Sequence, residues 1–544
     1  MKNNNNRKYT KKSGKSNQRK KRSNSNNSKW NSKVKDDILD ESGSKDRRGP
    51  RFSKSSANYA NSVNDWHWYA KNDQLLKDAA SLSFNNALGA RLPRINKTLT
   101  IGSDTIAFNF EGNPLPGISL SEFIPTPGLA TNYVSPANLA GQQQYTYIRR
   151  EINGARTYDA PDLVLYFMAI DSIYMLLTFA TRAYGVLRYG PVQNNYYTAR
   201  ALTNAVGFDF QDLKLNQVNL RNIINYGIAE VAQFKVPGNM DIFKKHAWMC
   251  SNVFSDASIE KAQMYVYRPS GYYYYDESSS PNGGQLLYKK ITYPLTVSDF
   301  NALLEEAMNA LQYAQEVTDM SGDILKAYGE GGLFTMSLVT EDYTVGPVYN
   351  ETALEQLHNA SILPRAVTAI FEADAALNIT QDPNTNVVLQ NNRFPLSSFA
   401  NSGPALLYFT TDRPLNIRFD VPSPEDVMES TRLMVAARQI GTSANVELLW
   451  GTEFLANTSL LILDESRPQG FTTLQVDWAI DGNIDDSFTA LFSNFDWHPI
   501  LPTGTYTNSK KTYSMKGWFG DLSNYTLIGY DELEKLHKGA VLSE

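Results

Sequence analysis

The chain has 544 residues, a net charge of −5, 31 tyrosines and a single cysteine, Cys250. One cysteine excludes an intramolecular disulfide and any cysteine-based zinc site, and it suits folding in a reducing compartment. The small net charge hides a division: residues 1–54 carry 18 Lys and Arg against 5 Asp and Glu, a net of +13, while the remainder carries 33 against 51, a net of −18.

The basic part comes first. Its candidate nucleic-acid-binding residues are Lys2, Arg7, Lys8, Lys11, Lys12, Lys15, Arg19, Lys20, Lys21, Arg22, Lys29, Lys33 and Lys35, with no acidic residue among the first 35. Asn and Ser fill most other positions, so the segment cannot bury enough apolar surface to offset the entropy of ordering it. It is expected to be mobile unless a ligand holds it. Lys and Arg on such an arm release counterions from a phosphate backbone, which gives RNA affinity without sequence choice. A nuclear-localisation signal and a solvated tail are the competing readings. No apolar stretch follows the basic start, so no signal peptide is expected.

Asp65-Trp66-His67-Trp68-Tyr69 packs four rings into five residues. It reads as a local core anchor or, alternatively, as an anchor on a neighbouring subunit. Residues 92–145, rich in Pro and Gly, read as extended chain and loops lying across a partner, not as helix. A helix is predicted from a cap at Asp159 to about Arg188, stopped by Gly190-Pro191. Its apolar run 163–180 approaches membrane-spanning length, but Asp171 and Ser172 sit at its centre, which favours a helix buried in a large core. Further helices are predicted over 196–206 and 211–234, with Gly227 a weak point and Pro237-Gly238 the break.

From about residue 262 the pattern turns strand-like: MYVYRP, GYYYYDE and QLLYKKITYPL are short β-prone runs. Helices are predicted over 298–317, capped by Ser298, over 351–360, and from Ser423-Pro424-Glu425-Asp426 to Gln439. Residues 365–422 mix strands and loops. VELLW, SLLILDE and FTTLQVDWAI read as strands, and 531–538 as a short terminal helix.

Catalytic signatures are missing: there is no phosphate-loop motif, nucleophile elbow or H-E-x-x-H pair, so no enzymatic activity and no cofactor are expected. His246 and Cys250, at i and i+4, make at best two ligands of a metal site and read as packing; no metal is expected. Glu330-Gly331-Gly332 reads as a helix stop.

Residues 149–155, RREINGA, with the sequence to Gly190, and residues 320–334, MSGDILKAYGEGGLF, resemble the capsid proteins of picobirnaviruses, and the likeness extends over most of the chain. The resemblance implies a fold that is mostly α with some β: a helix-rich viral shell domain plus an inserted projecting domain containing short strands. It divides the chain into a basic RNA-facing arm (1–54), a first shell part (55–260), a projecting domain (261–424) and a second shell part (425–544). It implies symmetric homodimers that exchange N-terminal segments and assemble, 120 copies in all, into an icosahedral shell around double-stranded RNA and the viral polymerase. The protein would then be a virion component assembled in the host cytoplasm. Some relatives cleave their own N-terminus and perturb membranes, which adds a host membrane to the expected partners; no residue here marks a cleavage site. A nonviral RNA-binding or nuclear protein, or an enzyme with a fold-assembled carboxylate site, are the alternatives.

Overall fold

The computed structural model describes residues 68–84, 89, 95–110, 115–193, 199–258, 261–277, 284–364, 367–370, 376–397, 408–441, 444–464, 466–475, 486–507 and 512–540. The thirteen candidate cations of the arm, and Asp65 to His67, lie outside these residues.

The chain divides into two compact units, Met1–Ser83 and Phe84–Glu544. In the first, α1 (Asp73–Ala80) starts where the Asn72 side chain accepts hydrogen bonds from the N–H groups of Gln74 and Leu75, at 3.0 and 3.3 Å. These donors have no partner within the helix itself.

The second unit opens with a hairpin, β1 (Ile95–Ile101) and β2 (Asp104–Phe110), then β3 (Ile118–Pro125), α2 (Pro136–Glu151) and α3 (Ala160–Gln193). There follow α4 (Ala199–Val206), α5 (Phe210–Val231), α6 (Asp241–Ser251), β4 (Val253–Ser255), β5 (Met264–Pro269), β6 (Gly271–Asp276) and β7 (Gln285–Lys290). Next come α7 (Val297–Gln312), α8 (Gln315–Tyr328), β8 (Pro347–Tyr349), α9 (Glu351–Asn359), β9 (Ile379–Asp382), β10 (Val387–Gln390), β11 (Arg393–Pro395) and β12 (Arg413–Asn416). The chain finishes with α10 (Pro424–Ser430), β13 (Ala436–Gln439), β14 (Asn445–Leu449), β15 (Glu453–Leu463), β16 (Phe471–Gln475), α11 (Asp486–Phe492), β17 (Leu501–Thr507), β18 (Thr512–Phe519), β19 (Tyr525–Ile528) and α12 (Tyr530–Ala540).

α3 is the axis of this unit. Its apolar run is long enough to cross a membrane, yet the whole stretch is buried inside the protein. α2, α4, α5, α6 and β6 pack around it. A helix that is apolar on every side needs such a complete jacket. It overruns the expected stop at Gly190-Pro191, because a proline this near a helix end removes one backbone bond and leaves the earlier turns intact. Gly227 does not weaken α5. A Cβ there would lie 2.8 Å from Leu177 Cδ2 and 2.9 Å from Leu304 Cδ2, so the glycine lets α3 and α7 close onto α5. The irregularity in α5 falls instead at Asn216.

Beside the helices lies a mixed sheet in the order β16-β15-β3-β5-β4-β8. β3 pairs antiparallel with β15, with a register shift between Leu455 and Asn457, and parallel with β5. The expectation that 92–145 is extended chain and loops without helix is therefore corrected in part. Its middle is a central strand whose Ile118, Leu120, Phe123 and Ile124 are buried, and its end is α2, entered through Ser135-Pro136. Prolines flanking β3 disguised a strand covered on both faces.

Two helix boundaries also differ. α7 is capped by Thr296, not Ser298: the Thr296 side chain accepts from the Asp299 N–H at 3.1 Å while Asp299 bonds back to the Thr296 N–H. It ends at Gln312, and α8 follows as a separate helix ending at Gly329, whose φ is +69°. Ser423 does start α10 with a capping box, but the helix stops at Ser430 and 436–439 is β13. There Ser361 takes over: its N–H donates to the Leu433 carbonyl and its hydroxyl accepts from the Val435 N–H, pulling the chain into extended form. The hairpins β1–β2 and β17–β18 and strands β12 and β19 were not anticipated as such. The fold class is as expected, mostly helical with several small sheets.

Candidate functional site

With the arm's cations outside the described residues, the chemistry of the body is carried by one buried chain of charges. α3 places Asp171 in the middle of its apolar run, and α6 crosses α3 and presents His246 to it. His246 Nδ1 lies 2.5 Å from Asp171 Oδ2, and its Nε2 lies 3.4 Å from Glu453 Oε2 at the start of β15. Arg432 Nε reaches Glu453 Oε1 at 2.6 Å, and Arg432 Nη1 reaches Glu429 on α10 at 3.3 Å. Gln356 of α9 donates to Glu429 at 2.7 Å, and the Thr452 hydroxyl donates to Glu453. Asp171, His246 and Glu453 have no solvent contact at all.

Burial alone would push the His246 imidazolium down, but Asp171 and Glu453 on either side outweigh it and raise it to about 9. Burial would likewise raise Glu453, yet Arg432 and His246 hold it well below the usual carboxylate range. Burial wins at Asp171, which is raised despite His246. Carboxylates thus alternate with His246 and Arg432 along the row. In a low-dielectric interior such a row is tolerable only with every member partnered. It clamps α3, α6, α9, α10 and β15 to one another. Arg182, also fully buried on α3, works beside it by donating to the carbonyls of Tyr267 at 2.7 Å and Asn252 at 3.2 Å.

The same geometry decides the His246 and Cys250 pair. Both are buried on one face of α6, and burial pushes the Cys250 thiol up to about 12. His246 Nδ1 is taken by Asp171 at 2.5 Å, and its Nε2 faces Glu453 at 3.4 Å. Among the described residues, no group of three or more His, Cys, Asp and Glu is placed to hold a metal ion. Glu330-Gly331-Gly332 is a 3-10 turn just after α8, and the helix itself stops one residue earlier, at Gly329. Asp171 is out of place in an apolar run, yet its partners are not legible in the sequence: His246 and Glu453 are 75 and 282 residues away in the chain, and no local spacing joins them.

The surface carries apolar groups of the kind that mark association sites. Leu215, Val218 and Tyr226 stand out from α5, at 84%, 57% and 73% exposure, and Tyr525 and Leu527 from β19.

Known proteins resemble the chain over most of its length. The family described as picobirnavirus capsid protein matches residues 68–450. Over 529 residues the chain is 27% identical to the capsid protein precursor of Human picobirnavirus, covering 91% of this chain and 93% of the relative. The X-ray crystallographic structure of the picobirnavirus capsid matches with a TM-score of 0.69 at 22% identity, over 88% of this chain and 97% of that one. The chain belongs to the picobirnavirus capsid protein family, a virion component that self-associates into the shell of a double-stranded RNA virus.

Proposed function

We propose that the chain forms symmetric homodimers that assemble, 120 copies in all, into a small icosahedral shell in the host cytoplasm, with the basic arm tethering double-stranded RNA inside. The observation that carries this is the junction of two unlike parts: a body matched to a shell-protein family from residue 68 onward, preceded by a segment of net +13. One arm binds RNA only moderately. Many arms on one surface add through effective concentration, so total charge matters more than any single lysine. The viral polymerase inside the particle and a host membrane at entry are proposed as further partners.

The projection is assigned to residues 261–424, between shell parts 55–260 and 425–544. In support, β6, β7, β9 and β10 form a sheet drawn only from that segment, while β5 and β8 root it in the central sheet.

Electron microscopy and sedimentation of the purified chain test the reading. Uniform closed particles are expected; a monomer at all concentrations would overturn it. Particles whose thirteen arm cations are replaced by Gln should retain less RNA, and equal RNA content would remove the arm's role.

A further inference from the structure

We infer that the body carries a second RNA contact, a surface track that holds single-stranded RNA and runs past α2, α6 and α8. The inference builds on the RNA-enclosing shell proposed above but uses none of the arm's residues.

Three surface cavities, of about 750, 550 and 350 Å³, share lining residues in series. Tyr147 lines both the first and the second, and Lys244 both the second and the third, so the cavities form one path. Their lining is unlike the rest of the body, which is net −18 beyond residue 54. Arg150 of α2 and Lys538 of α12 flank the first cavity, Lys244 links the next two, and Lys245 lines the third, where Arg432 is already paired with Glu453 and Glu429. Glu429 is the sole carboxylate in the described lining, and Arg432 holds it at 3.3 Å. Just outside, Asp241 lies 3.7 Å from Lys244 and Glu534 lies 3.4 Å from Lys538. Lys244 and Lys538 are about half exposed, and loose exposed pairs of this kind contribute little, so a phosphate can replace the carboxylate.

Aromatic rings are interleaved with these cations. Tyr147 and Tyr328 meet at 4.8 Å between ring centroids where the first two cavities join, and Trp248, half-buried against Phe254, lines the third. Between them Gly331 exposes bare backbone, with nothing within 4 Å of where a Cβ would stand. Cations that follow a backbone together with rings that stack bases are the chemistry of single-strand binding. A duplex keeps its bases stacked inside and would leave the rings unused, and an acidic peptide would need the cations alone.

The test uses the full chain before assembly, with a labelled uridine-rich oligonucleotide as probe. Two backgrounds are compared: the natural arm, and an arm whose thirteen cations are Gln. In the second, binding should persist at lower affinity. Adding Arg150→Glu and Lys244→Glu should weaken it roughly tenfold or more and flatten the log–log salt slope by about 1.4, near 0.7 for each lost phosphate contact. Tyr147→Ala with Trp248→Ala should weaken it by roughly tenfold, with the salt slope nearly unchanged. Ultraviolet cross-linking of the natural chain should label peptides holding Tyr147, Tyr328 or Trp248, which reports the site without any substitution. Unaltered affinity in the charge-reversed chain, or cross-links confined to other peptides, would overturn the track. Insensitivity to ring removal, with poly-glutamate competing as well as RNA, would overturn it in favour of an acidic protein partner. Failure of the arm reading is distinct: neutralising the arm would then leave affinity unchanged while the track variants still lowered it.

Discussion

Asp171 and His246 touch at 2.5 Å in the centre of the body, each with no solvent exposure, and each is the other's main reason for being tolerated there. Removing one partner of a buried ion pair leaves an uncompensated charge and costs about 3–5 kcal/mol. Asp171→Ala should therefore lower the unfolding free energy by about that amount, read from denaturant or thermal midpoints. Asp171→Leu combined with His246→Leu should be less damaging than the single change, since no lone charge remains at that end. A neutral Asp171→Ala would show that the pair does not hold the helices together.

Stability should depend on pH through His246. Its folded-state value, about 9, lies above the roughly 6.5 of an unfolded chain. A group raised on folding binds its proton more tightly in the folded state, so its contribution is fully present below about pH 6.5 and is lost as pH climbs through about 9. Denaturation midpoints of the natural chain should fall between pH 6.5 and 9. His246→Gln should start lower and change less across that window, and parallel curves would rule out His246 as the source.

Gly227 is a packing position, not a flaw in α5. Gly227→Val would drive methyl groups toward Leu177 and Leu304, which already crowd the Cβ position at 2.8 and 2.9 Å. Overpacking of this kind costs about 1–3 kcal/mol. A lowered melting midpoint is expected, with a smaller drop for Gly227→Ala because leucine ends can swing aside.

The start of α7 separates two neighbouring hydroxyls. Thr296→Ala removes the side chain that caps the Asp299 N–H and should cost about 1 kcal/mol. Ser298→Ala, at an exposed position inside the first turn, should stay within about 0.5 kcal/mol. Equal effects in thermal unfolding would contradict the observed cap.

What could be read along the chain was whatever local chemistry decides. The apolar run of α3, the tyrosine-rich strands β5 to β7 and the Ser423 capping box are each written in a few adjacent residues. What escaped was set by distant partners. β3 looked like loop because its prolines lie beside it and its pairing partners β5 and β15 lie far along the chain. The helix predicted past Ser430 lost to Ser361, which bonds the chain at Leu433 and Val435. The buried clamp was half visible, since a carboxylate in an apolar helix demands a partner, but only the fold supplies it. The arm is the reverse case: its charge was plain from composition, and its residues lie outside those described.

The pairing of β3 with β15 has a consequence for how the subunit is made. Ser121 and Thr458, whose hydroxyls meet at 3.5 Å, are 337 residues apart in the chain. The central sheet of a nascent chain therefore cannot close until β15 has emerged, and until then β3 has an open flank. Fragments ending before residue 453 leave that flank of β3 unpaired and should collect as aggregates, so a building block needs β15.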